Sequence, residues 1–194
     1  MRLKFTLLML ILASVAMHAQ TILLQETFQD WTPEAGVAPE PPSKSPNGVA
    51  YTITKKLADD KTQGTFSSNA LIVAPTQSIG ASGVAEGNGN PSKGRIVMKG
   101  ARTYLELPKL PSVGVVKIIA SAGTDLKEFR LQASVGNAFE DIAGTITPCE
   151  KAVTKLYTFN INIATPTTIR ILPNSGSSIN IWDVEVSAYV VTKK

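Results

Sequence analysis

Lys155-Leu156-Tyr157-Thr158-Phe159-Asn160-Ile161-Asn162-Ile163-Ala164 is the stretch that decides the fold. Tyr157, Phe159, Ile161 and Ile163 occupy every second position, against Thr158, Asn160 and Asn162. A repeat of two places these groups on opposite sides of an extended chain, whereas a helix would need apolar residues three and four apart. Upstream, residues 128–135 repeat the pattern, with Phe129, Leu131, Ala133 and Val135 on one side and Arg130, Gln132 and Ser134 on the other. Residues 113–121 form a nearly continuous β-branched run, as a central strand requires. Shorter strands are expected at 21–28, at 95–99 and 103–107 around a turn at Gly100, and at 167–172. In the last strand, residues 179–191, the apolar phase changes from Ile179 and Ile181 to Trp182, Val184 and Val186. A one-residue slip of this kind predicts a β-bulge at Ile181-Trp182. Helix is scarce: Thr147-Pro148-Cys149-Glu150 has a capping-box pattern, with room for only a short helix or a loop after it. Several alternating strands separated by turns predict an all-β protein, an antiparallel β-sandwich or barrel.

The first residues are an address. Arg2 and Lys4 precede an apolar run at 5–15, and Ala16-Met17-His18-Ala19 supplies small residues before Gln20. That is the layout of a secretory signal peptide over residues 1–19, with an apolar run too short to span a bilayer. Removing 19 of the 194 residues leaves 175, enough for a single domain over 20–194. The formal charge of +4 falls to +2 with the loss of Arg2 and Lys4, and the remaining basic residues are scattered, which argues against nucleic-acid binding. The only histidine, His18, leaves with the signal, so Ser-His-Asp, Cys-His and His-rich zinc sites are excluded from the mature chain. Cys149 is the only cysteine, which excludes an intrachain disulfide and leaves the thiol without a histidine base. Residues 33–46 hold five of the twelve prolines and read as a long surface loop, and residues 80–94 read as a second one.

Three stretches carry a family resemblance. They are Glu26-Thr27-Phe28 followed by Trp31; the run from Leu131-Gln132-Ala133-Ser134 to Phe139-Glu140-Asp141-Ile142; and Ile169-Arg170-Ile171 with the closing Ile179-Asn180-Ile181-Trp182-Asp183-Val184-Glu185-Val186. Together they resemble the jelly-roll modules of proteins secreted by Bacteroidetes, including galactose-binding-like and carbohydrate-binding modules. This chain has Gly136-Asn137 where such modules commonly have an Asp-Gly turn. The resemblance implies a jelly-roll sandwich and an exported, non-catalytic glycan-binding module of the periplasm or cell surface. Two rival readings are a structural or adhesion protein docking on another envelope protein, and a polysaccharide lyase or hydrolase.

Sugar binding needs an aromatic platform and planar polar side chains for the hydroxyls. If the apolar phase faces inward, Tyr104, Glu106, Arg130, Gln132, Asn160 and Asn162 point outward, and all of these but Glu106, with Trp31 beside the Pro-rich loop, are the candidate ligand-binding residues. Trp182, in the apolar last strand, is expected in the core. No catalytic residue stands out. No cofactor is expected beyond a structural calcium ion shared by Glu26 and Asp183, on the first and last strands.

Overall fold

The computed structural model describes residues 20–31, 50–73, 94–123, 125–151, 153–174 and 178–191. The expected signal segment, the Pro-rich stretch and all but the last residue of the Gly-rich loop lie outside the described residues. Thirteen strands follow one another: β1 (Ile22–Glu26), β2 (Tyr51–Lys56), β3 (Gln63–Ser68), β4 (Leu71–Val73), β5 (Arg95–Met98), β6 (Leu105–Glu106), β7 (Val113–Ala122), β8 (Lys127–Val135), β9 (Ala138–Asp141), β10 (Thr147–Cys149), β11 (Lys155–Ile163), β12 (Ile169–Pro173) and β13 (Ile179–Ser187). The first sheet has the order β11-β7-β13-β5-β4, with β1 also on β13. The second has the order β10-β8-β12-β6-β3-β2, with β9 also on β8. All of these pairings are antiparallel, so the protein is an all-β sandwich of jelly-roll type. No helix among the described residues is long and apolar enough to cross a membrane.

Alternation sets what lies between the sheets. Val116, Ile118 and Ala120 of β7 belong to the same buried cluster as Phe129 and Leu131 of β8, all essentially inaccessible. Phe129 packs edge-on against Tyr157 and Phe159, with centroids 5.2 and 5.9 Å apart. The bulge in β13 is present, since the register with β7 shifts between Ile181 and Asp183. Asn162 sits in a second irregularity, where β11 shifts against β7 with φ at 60°, a conformation that asparagine adopts more readily than most residues. Gly136 opens the β8–β9 hairpin with φ at 59°. At the β2–β3 hairpin, the Asp59 carboxylate accepts from the amides of Lys61 and Thr62 and from the Thr62 hydroxyl, which lowers its pKa to about 2.

Several local expectations are corrected. The segment at 147–150 is not a helix start: Thr147–Cys149 is an edge strand on β8, which buries Cys149 completely and places Pro148 on an edge strand, where proline is tolerated. The strands expected around Gly100 are present as β5 and β6, and the chain crosses there from the first sheet to the second. Val135 leaves the core as β8 overruns the sandwich, and is 52% exposed. Trp182 is buried but lies outside the main core cluster, because the bulge turns its ring toward Arg95 (4.9 Å) and Ser121 (Nε1 to Oγ, 3.0 Å).

Candidate functional site: the outer face of the second sheet

Asp141 of β9 pairs with Gln132 of β8, Gln132 with Arg170 of β12, Arg170 with Glu106 of β6, and Glu106 with Ser67 of β3. Cross-strand partners share a face, so five polar side chains form one row across five strands. On β3, β6, β8 and β12 their neighbours, including Leu131, Ile169, Ile171, Leu105, Phe66 and Ser68, are buried in the sandwich.

The row is wired by its own side chains. Gln132 donates from Nε2 to Asp141 Oδ1 at 2.8 Å, and Arg130 Nε lies 3.1 Å from the same oxygen. Arg130 donates to Asn174 (2.9 Å), and Asn174 donates to Glu128 (2.9 Å). Arg170 donates to Glu106 Oε2 at 2.7 Å, both side chains being about a quarter exposed. The Arg170 guanidinium also lies 3.7 Å from the centroid of Phe139 and 4.5 Å from that of Tyr104. Cation–π attraction from two rings and a carboxylate leaves that group little freedom.

Tyr104 is placed by the segment after β3. Its amide donates to Asn69 Oδ1 (2.9 Å), its carbonyl accepts from Ser68 Oγ (2.6 Å), and its hydroxyl lies 3.4 Å from that of Ser67. The same segment is held by Tyr51, whose hydroxyl donates to the Ala70 carbonyl at 2.8 Å and whose pKa is pushed up to about 12 by burial.

The structure brings together Tyr104, Arg130 and Gln132, because β6 and β8 both pair with β12. Asn160 and Asn162 are exposed, but they belong to β11 at the edge of the first sheet. Trp31 is corrected outright: it is 1% exposed and packs edge-on between Phe28 and Phe66, with centroids 5.0 and 5.1 Å away, so its faces are not available for stacking. Glu26 and Asp183 do not converge. Glu26 pairs with core-facing Val184 and accepts from the Phe28 amide at 2.7 Å, whereas Asp183 pairs with Ile119 on the outer side of the same sheet. Among the described residues, no cluster of three or more His, Cys, Asp or Glu is placed to hold a metal ion. Phe139, Arg170, Glu106 and Asp141 were not among the expected ligand residues. The signal for Arg170 was present in Ile169-Arg170-Ile171, where alternation alone sends the arginine outward.

No protein-family model matches the chain, and no curated protein matches it. Among solved structures, it is similar to the CBM22-1 xylan-binding domain from Paenibacillus barcinonensis Xyn10C, at 9% identity over 90% of this chain and 98% of that one, with a TM-score of 0.45. It is also similar to the catalytic domain of a GH87 alpha-1,3-glucanase, at 12% identity over 77% of this chain, with a TM-score of 0.44. A third is the CBM22-1-GH10 modules of the endo-1,4-beta-D-xylanase 10B from Clostridium thermocellum, at 15% identity over 57% of this chain, with a TM-score of 0.38. The chain spans 30% and 25% of the lengths of the latter two.

Proposed function

We propose that this is an exported glycan-binding protein of the cell envelope, and that the outer face of the second sheet is its binding surface. The observation that carries the proposal is the single row Asp141-Gln132-Arg170-Glu106-Ser67, flanked by the rings of Tyr104 and Phe139. Strands lie about 4.8 Å apart, so a row over five of them extends roughly 19 Å, the scale of a short linear oligosaccharide laid across the strands. Its carboxylate, amide, guanidinium and hydroxyl groups are the partners that sugar hydroxyls use. Glu106 and Asp141 each accept a hydrogen bond from within the row, from Arg170 and Gln132, which supports a role in holding the face together. Export rests on the signal-like residues 1–19. Native electrophoresis of residues 20–194 through gels containing xylan, mannan, β-glucan or pectin tests the proposal. Retardation by at least one polysaccharide, reduced in Tyr104→Ala and Phe139→Ala, is the expected result. Unchanged mobility in every gel would refute it.

A further inference from the structure

The charge pattern of this face points to the class of glycan, an inference that rests on the binding reading above. Five charged side chains belong to the network: Glu128 and Arg130 of β8, Asp141 of β9, Glu106 of β6 and Arg170 of β12. Both guanidinium charges are paired with a carboxylate, although the Nε of each lacks a hydrogen-bond partner. Arg170 is held by Glu106, and Arg130 lies against Asp141 and is linked to Glu128 through Asn174. Within the network three carboxylates face two arginines, so a further anion arriving here meets an excess of negative charge. The order of groups along the row matters as much. It runs acceptor (Asp141), amide (Gln132), donor (Arg170), acceptor (Glu106), hydroxyl (Ser67). A hydroxyl both donates and accepts, so a run of sugar hydroxyls can satisfy this alternation, whereas a ligand carboxylate only accepts and would confront Glu106 or Asp141.

We infer that the face selects neutral polysaccharides over uronic-acid polymers, with Glu106 and Asp141 as the residues that reject the acidic ones. The test uses residues 20–194 on affinity gels containing galactomannan, arabinoxylan or mixed-linkage β-glucan, set against polygalacturonate and alginate. The wild type should be retarded by a neutral polymer and bind the polyuronates at least about tenfold more weakly. The double variant E106Q/D141N, checked for an intact fold by its thermal transition, should gain retardation by a polyuronate. That gain should fade with added salt, because it depends on unmasked arginine charge. Polyuronate binding by the wild type as tight as any neutral binding would overturn the inference while leaving the glycan-binding reading in place. A folded double variant that still ignores polyuronates would remove Glu106 and Asp141 as the cause. Mobility unchanged by every polymer would remove both proposals together.

Discussion

Replacing Arg170 with alanine tests whether the row is a built structure or a set of polar residues that happen to face out. The guanidinium stacks on Phe139 and Tyr104 and pairs with Glu106, with a quarter of each charged side chain exposed. Each cation–π contact at such a site contributes roughly 0.5–1 kcal/mol. The screened ion pair adds about 0.5–1 kcal/mol, and a half-buried Glu106 left without its donor costs about 1 kcal/mol more. Arg170→Ala should therefore destabilise the domain by about 2.5–4 kcal/mol, lowering its melting temperature by roughly 5–15 °C. Glu106→Gln keeps an acceptor for Arg170 and should cost only about 0.5–1 kcal/mol. Since both substitutions remove the same ion pair, the double variant should fall short of the sum by about 0.5–1 kcal/mol. Arg170→Lys, which keeps the charge but loses the planar group, should recover less than half of the loss. Urea titrations of the four proteins would measure the cycle. A loss under about 0.5 kcal/mol for Arg170→Ala, or full additivity, would refute the picture of a pre-organised clamp.

Other positions give independent checks. A Cβ on Gly94 would lie 1.9 Å from the Phe28 carbonyl oxygen, so Gly94→Ala should lower the urea midpoint by more than an ordinary overpacking variant, about 3 kcal/mol or beyond. Phe28 holds a φ of 56° beside that contact, with its amide on the Glu26 carboxylate, and Glu26→Ala should cost about 1.5–3 kcal/mol in the same assay. Tyr51 has a folded pKa raised from 10.0 to about 12, so the folded state holds its proton where the unfolded chain releases it. Stability should fall as pH rises from 10 to 12, by on the order of 2 kcal/mol, and part of that slope should vanish in Tyr51→Phe. Cys149 is fully buried and its thiol pKa is pushed up by desolvation, so a thiol reagent should fail to label the native protein and react at once in denaturant. Rapid labelling without denaturant would show that β10 opens.

β2, β3, β4 and β9 were not anticipated, but the long strands and their buried sides were legible because period-two alternation is a local property. Phe129, Leu131 and Ala133 face inward as their spacing says, and the phase change at Ile181-Trp182 marks the bulge. The ends of elements were less legible, since burial there depends on what lies opposite. Val135 continues the alternation of β8 beyond the reach of the core. Cys149 has a local sequence suited to a helix start, but a place in the core outweighs a capping preference worth about 1 kcal/mol. Trp31 failed for a related reason. Its sequence neighbours are polar or proline, and nothing local announces that Phe28 and Phe66 enclose it.

The candidate site was only half legible, and the reason lies in jelly-roll topology. Alternation says whether a side chain points in or out, but not out of which sheet. Successive long strands change sheets here: β11 belongs to the first, β12 to the second and β13 to the first again. Asn160 and Arg170 are ten positions apart and both point outward, yet they leave the sandwich on different sheets. Tyr104, Arg130 and Gln132 meet because β6 and β8 both flank β12, a fact carried by long-range pairing alone. Once that pairing is known, Arg170 becomes the centre of the face, since β12 is the one strand that touches both. A residue with a hydrogen-bonded strand on either side and two rings against its side chain, Tyr104 just before β6 and Phe139 on β9 beyond β8, has few alternatives to its observed position. Arg170 is therefore the point from which the geometry of the whole row is set.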